Sequence, residues 1–548
     1  MPILDLILIL LSPRRSSTLT NLTRKKHKQM EMSAMSIGVG LAILALALSW
    51  AWRVLNWLWL RPKKLERLLR EQGFKGNPYR LLSGDLKEST KMLKESRSRP
   101  IGLSDDPVPR IFPFGLQSVN TYGKDSFIWQ GPTPRLNIMN LEHIKDMFSK
   151  IHDFQRPPIN PLVRALATGL ATYEGEKWAT HRKIINPAFH QEKLKLMLPA
   201  FVSSCTEMVT RWEKLISTNE SIELDAWPDL QNLTRDVISR TAFGSSYEEG
   251  KRIFEFQEEQ AELAIKFLQS VYIPGWRFVP TKMNRRMNYV SEEMHSLLRG
   301  IISKRENELK TAEGAPGDLL GLLLESNAKE LRENRGNKYK GLSTQDVIDE
   351  CKQFYFAGQE TTSVLLVWTV ILLSVHPEWQ NRAREEVLQA FGRDGKPNLD
   401  GLNHLKIVTM ILYEVLRLYP PLVWLGRYIH KEMKLGNLTI PAGVELSLPV
   451  LLVPRDKELW GEDAKEFKPE RFSEGISKAT NNQVMYFPFG WGPRICIGMN
   501  FALIEVKMAM AMILQRFSFE LSPSYAHAPA TSITLQPQHG AQVILRRA

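Results

Sequence analysis

A chain of 548 residues with 43% hydrophobic and 9% aromatic residues has the means to bury a large core, which excludes a disordered polypeptide. Its three cysteines, Cys205, Cys351 and Cys496, form no CxxC pair, which excludes a disulfide framework and fits a reducing compartment. The formal charge of +13 is carried by lysines and arginines interspersed with acids, which argues against nucleic acid as a partner and points instead to an anionic membrane or an acidic protein.

The first predicted element is apolar. From Met32 to Trp52, 21 residues carry no charge, and the apolar character continues through Trp57, Leu58, Trp59 and Leu60. That length spans a bilayer, and Trp50, Trp52, Trp57 and Trp59 suit its interface. The following Trp-Leu-Arg-Pro-Lys-Lys offers no small-residue cleavage site, so residues 32–60 read as a retained transmembrane anchor. Arg61, Lys63, Lys64, Arg67 and Arg70 place its C-terminal side in the cytosol, whereas Arg14, Arg15, Arg24, Lys25, Lys26 and Lys28 argue the reverse. A native start at Met30, Met32 or Met35 removes the conflict. Residues 1–31 are therefore expected to be a non-native extension, and 61–548 a single catalytic domain.

Trp178 and Arg182, one helical turn apart, are expected to face a common target. The stretches 314–317 and 327–341 read as surface loops. Ser343-Thr-Gln-Asp346 has capping-box spacing, and apolar periodicity runs from there to Val375, where His376-Pro377 stops it. About 32 residues make a rod of about 48 Å, enough to cross a domain. In its middle lies Ala357-Gly-Gln-Glu-Thr-Thr362, where the small pair permits close approach and Thr361 can bond back to the preceding turn and open the helix. Further on, Glu414 and Arg417 share one face of a helical run predicted over Leu402–Leu418.

The most specific signal comes near the end. Phe489 to Gly498 reads Phe-Gly-Trp-Gly-Pro-Arg-Ile-Cys-Ile-Gly, a loop forced by glycine and proline that delivers Cys496 just ahead of an apolar helix. Unpaired N–H groups at a helix N-terminus favour a thiolate. Gly490, Gly492 and Gly498 would let a large flat group approach the backbone, and Arg494 would offer a cation to a carboxylate on it.

This decapeptide resembles the haem-binding loop of the cytochrome P-450 superfamily, matching F-x-x-G-x-R-x-C-x-G at every fixed position. Ala357–Thr362 resembles the superfamily's oxygen-activation motif, Glu414–Arg417 its E-x-x-R, Pro469-Glu-Arg-Phe472 its P-x-R-F, and Trp178–Arg182 its W-x-x-x-R. The resemblance implies a mainly α fold with a small β region, preceded here by the transmembrane helix. It implies haem b with Cys496 as axial thiolate, Arg494 and Phe489 on the cofactor, and Trp178, Arg182 and Arg427 at its propionates. Thr361 would be the proton-relaying alcohol and Glu360 the acid. Glu414, Arg417 and Arg471 would form a structural triad. One departure is Pro454, where relatives usually carry His; it puts the local loop geometry in question.

Phe-Ala-Gly-Gln-Glu-Thr-Thr, Ile-Leu-Tyr-Glu-Val-Leu-Arg-Leu-Tyr-Pro-Pro and Pro-Ser-Tyr-Ala-His-Ala-Pro further resemble the plant clan that includes secologanin synthase and triterpenoid oxidases. That likeness implies NADPH- and O₂-dependent oxidation of an apolar terpenoid at the endoplasmic reticulum membrane. The anchor would be single-pass, the domain would face the cytosol, and a cytochrome P-450 reductase would be the partner. A triterpenoid is the favoured substrate, an iridoid such as loganin or a gibberellin or steroid hormone the alternatives. A haem-thiolate isomerase and a non-catalytic haem sensor are the competing classes. The pocket is expected to draw on Pro420–Leu425, Phe354–Gln359, the loop from Pro157 to Tyr173, and Thr531–Thr534.

Overall fold

Apolar patterning of two kinds builds two units, divided between Lys64 and Leu65. The computed structural model describes residues 13–158, 161, 163, 164, 166, 168–216, 220–245, 247–311, 317–333 and 341–548. The N-terminal unit holds helix α1 (Pro13–Leu55) and a π-helical turn (Asn56–Leu60), and the next helix, α2 (Arg61–Glu71), crosses the division. From Ile37 to Trp52 the large apolar side chains of α1 are exposed. Met35–Glu71 is one of two stretches among the described residues long and apolar enough to cross a membrane. Helix begins well before Met32, so residues 13–31 are helical as well; residues 1–12 of the expected extension lie outside the described residues.

The larger unit is mostly helical. Its elements around the site are α3 (Gly175–Ile185), α4 (Gln191–Ile216), α5 (Ala226–Phe243), α6 (Leu319–Glu333), α7 (Thr344–Val375), α8 (Leu399–His404), α9 (Lys406–Leu418) and α10 (Met499–Arg516). The predicted long helix is α7. Ser343 caps it through the Asp346 N–H, and the Asp346 carboxylate returns to the Ser343 N–H at 3.0 Å, completing the capping box. It is the second membrane-length stretch, but every residue from Thr362 to Leu373 is buried, which makes it the spine of the core. Helix α5 packs along it so closely at Gly358 that a Cβ there would come within 2.7 Å of Ile238 Cδ1.

Two expectations need correction. Residues 327–333 belong to α6 rather than a loop, because the Asn327 amide turns inward and exchanges hydrogen bonds with the backbone of Leu342 at 2.7 and 3.0 Å. The remainder of that stretch, 334–340, lies outside the described residues, as do 314–316. The run predicted over Leu402–Leu418 is also broken at Leu405, which takes an extended conformation between α8 and α9.

Thirteen strands form four small sheets among the described residues. The largest has the order β1-β2-β3-β9-β6-β4: Lys75–Gly76, Ser126–Gln130, Thr133–Asn137, Glu445–Leu448, Leu425–Ile429 and Phe154–Gln155. A second joins β10 (Phe517–Leu521), β13 (Gln542–Arg547) and β5 (Ser221–Asp225), with β13 in the middle. Two hairpins complete the set, β7–β8 (Met433–Leu435 with Leu438–Ile440) and β11–β12 (Pro529–Thr531 with Leu535–Pro537).

Candidate active site

The cysteine loop is built by its own backbone. The Cys496 N–H donates to the Phe489 carbonyl at 2.8 Å, and turns close from Gly490 to Phe487 and from Ile495 to Gly492. Gly490 and Gly492 are needed for their left-handed conformation, φ +73° and +71°, and Gly492 also abuts the Phe148 carbonyl. A Cβ at Gly498 would meet only ordinary contacts from the polypeptide itself. Gly498 then caps α10. Cys496 keeps accessible surface while protein encloses it, as suits a side chain lining an internal cleft. Burial pushes its thiol up, against the pull of the Gly498 N–H and the Arg182 guanidinium. The helix N-terminus alone therefore does not hold a thiolate here; a metal cation facing the sulfur would reverse that balance.

Trp178 and Arg182 both reach this loop, from successive turns of α3. Arg182 donates Nη1 to the Ile495 carbonyl at 2.9 Å, and Trp178 lies beneath the Arg494 guanidinium at 4.4 Å. Arg494 donates to the Tyr173 carbonyl at 3.1 Å and pairs with Glu174. Arg427, on β6, donates to the Gly426 carbonyl at 2.8 Å and lies over the Phe148 ring. Arg156, which the sequence did not single out, joins them in front of Glu174. Burial, together with repulsion from the neighbouring arginines, pushes Arg427 down to about 9. Burial and Arg156 push Arg494 down to about 10 against the pull of Glu174. Arginine does not release its proton in a protein, so this depression expresses an unmet demand for an anion. The Nε atoms of Arg156, Arg427 and Arg494 are all buried without a hydrogen-bond partner among the described residues. Three guanidiniums facing one carboxylate fit the propionate edge of a haem.

On α7, Thr361 donates its hydroxyl to the Ala357 carbonyl at 2.8 Å, yet the helix stays α-helical through the whole motif instead of opening. Glu360 turns toward the β11–β12 hairpin. Its Oε1 accepts from the Thr534 hydroxyl at 2.6 Å and from the Gln536 amide. Burial pushes this carboxyl up, against the pull of those two donors and of Arg235. The expected pocket segments converge in part: the Leu535 N–H donates to the Pro421 carbonyl at 3.0 Å, joining the 420–425 strip to the hairpin. Tyr173 donates to Asp349 at 2.9 Å, joining the far end of the 157–173 loop to α7; positions 159, 160, 162, 165 and 167 of that loop lie outside the described residues.

Glu414 and Arg417 are fully buried and paired in bidentate fashion at 2.6 and 2.7 Å. Arg417 spends its other N–H groups on the carbonyls of Pro454, Ala464 and Glu466. Pro454 thus fits: its carbonyl accepts from Arg417, and its missing N–H falls at the start of a 3₁₀ turn, where no intrahelical partner is lost. Arg471 stands 3.6 Å from Glu414 but makes its closer pair with Asp463, at 2.7 Å. Tyr486, which leads into the cysteine loop, donates to the Tyr413 carbonyl beside Glu414.

An accessible cysteine in a rigid loop, next to an enclosed excess of guanidinium and under an α-rich scaffold, defines a haem-thiolate protein. The chain belongs to the cytochrome P450 family, whose model matches residues 117–544, and the family and fold bind haem through a thiolate and act as monooxygenases. It is 62% identical over 495 residues to Cytochrome P450 72A397 of Kalopanax septemlobus, covering 90% of this chain and 95% of that one. Cytochrome P450 CYP72A219 of Panax ginseng is 60% identical, with the same coverage, and Cytochrome P450 72A15 of Arabidopsis thaliana is 58% identical over 90% of this chain and 96% of its own. Retinoic acid bound cyanobacterial CYP120A1 superposes with a TM-score of 0.68 at 24% identity over 81% of this chain and 95% of its own, a likeness of fold.

Proposed function

We propose that this chain is a membrane-anchored monooxygenase that takes electrons from NADPH through a cytochrome P-450 reductase and oxidises an apolar plant terpenoid, a triterpenoid first of all. The observation that carries the reading is the pairing of the accessible Cys496 sulfur with the guanidinium excess of Arg156, Arg427 and Arg494. Cys496 would be the axial ligand, those arginines and Trp178 would seat the propionates, and Arg182 would hold the loop through Ile495. When bound, the haem supplies oxygen activation, with the thiolate favouring O–O cleavage. Thr361 and Glu360 would deliver the protons, and the Glu414–Arg417 pair with Arg471 would brace the loop from behind. The site is expected at the endoplasmic reticulum, on a single-pass anchor with the domain in the cytosol. The exposed turn bearing Ile273, Trp276 and Phe278 (75% exposed) beside Arg277 suits a lipid interface as well.

The test is product formation in microsomes with NADPH and a plant reductase, comparing pentacyclic triterpenoids, loganin-like iridoids and gibberellins by mass spectrometry. Gain of one oxygen on a triterpenoid is the expected outcome; turnover confined to another class overturns the substrate and keeps the chemistry. Thr361→Ala separates the reaction classes: a monooxygenase diverts electrons to peroxide, whereas a haem-thiolate isomerase is indifferent.

A further inference from the structure

The acid on α7 does not stand alone. Thr534 and Gln536 lie on either side of Leu535 at the start of β12, and both converge on one atom, Oε1 of Glu360. The hairpin that carries them is pinned to the same helix two turns on, where the Trp368 indole donates to the Leu535 carbonyl at 2.7 Å in the buried core. Its register is fixed too, by pairing of Thr531 with Leu535 and of Ala530 with Gln536. A carboxyl whose one oxygen already accepts two hydrogen bonds carries its proton on the other. Both donors are uncharged, so they orient the acid and favour its ionised form less than a paired lysine or arginine would, while the charged groups acting on it, Arg235 and Glu258, pull in opposite directions.

We propose that Thr534 and Gln536 are positioning residues that occupy Glu360 Oε1 and so confine the transferable proton to Oε2. Through them the hairpin tip, one of the segments expected to meet substrate, is tied to the group that delivers protons. This rests on the reading of Glu360 as the acid of a monooxygenase. Displacing the tip shifts the acid, and proton delivery then depends on what fills the pocket beside Thr531–Thr534.

The test uses the full-length haem-loaded protein, with folding checked by its reduced-CO spectrum, and compares Thr534→Val, Gln536→Leu, the double variant and the conservative Thr534→Ser. The first measurement is the infrared carboxyl stretch of Glu360, isolated as the difference from Glu360→Gln. It should move to higher wavenumber in the Val and Leu variants and stay in place in the Ser variant. The second is the pH profile of peroxide release with reductase and NADPH alone. Losing donors that favour the ionised form should move its midpoint upward by about one pH unit in the double variant. A stretch that does not move overturns the contact. A stretch that moves while the double variant keeps the wild-type pH profile overturns the positioning role. If Glu360→Gln itself keeps the wild-type profile, Glu360 is not the acid; the proposal then falls with that reading, and the infrared result separates this failure from loss of the contact.

Discussion

Two groups of buried charge, the Glu414–Arg417 pair and the arginines around Glu174, differ in how they are satisfied. All five N–H groups of Arg417 have acceptors, two from Glu414 and three from backbone carbonyls. Among the described residues each Nε of Arg156, Arg427 and Arg494 lacks a partner, and Glu174 is the carboxylate acting on all three. A charge set that closes on itself holds the protein together. One left with surplus cations is arranged for something the polypeptide does not supply. Burial alone, nearly equal in Arg417 and Arg427, would not have told them apart.

The largest test of that contrast is Arg417→Met. It strands Glu414 as a buried carboxylate and should cost about 3–5 kcal/mol, read as loss of folded haem protein on expression and a lowered thermal midpoint. Arg427→Met should do the opposite to the apoprotein, leaving its thermal midpoint unchanged or raised, because a mismatched charge has gone. The same change should speed haem transfer to apomyoglobin roughly tenfold, for one charged hydrogen bond lost. Equal destabilisation of the apoproteins by both substitutions would erase the distinction.

A smaller effect sharpens it. Glu505, on α10 just beyond the cysteine loop, is buried with both oxygens unpartnered among the described residues, and burial pushes it well above its ordinary value. A carboxyl raised in the folded state stabilises only while both states are protonated. Its contribution falls away as pH rises past the unfolded value, by up to about 1.4 kcal/mol for each pH unit. Glu505→Gln should therefore unfold at nearly the wild-type temperature near pH 4 and at a progressively higher one toward pH 8. A pH-independent difference would mean that Glu505 finds a partner.

What the sequence made legible was local. The Ser343–Asp346 cap, the Thr361 back-bond and the Glu414–Arg417 pair each join residues within four positions, so periodicity and spacing suffice to place them. The break at Leu405 was hidden because nothing near it signals a stop. The free N–H groups of Lys406, Ile407 and Val408 are capped by Glu386, a carboxylate borrowed from the helix Pro377–Phe391 at 2.6 to 3.0 Å. Arg156 and Glu174 escaped for a similar reason: neither belongs to a spaced motif, and only the fold brings them to Arg427 and Arg494. From the sequence Thr534 is expected only as part of the pocket and Gln536 is not singled out; the fold sets both against Glu360.

The three-stranded sheet has a consequence for biosynthesis. Its central strand, β13, is synthesised after both of its neighbours, β5 and β10, and Ala541 reaches back to Asp225 across 316 residues. On the ribosome β5 must wait without a strand partner until β13 follows, the condition under which a slow, non-local contact invites chaperones or misassembly. Synonymous codons that slow elongation between β5 and β13 would prolong that exposure without altering a single residue.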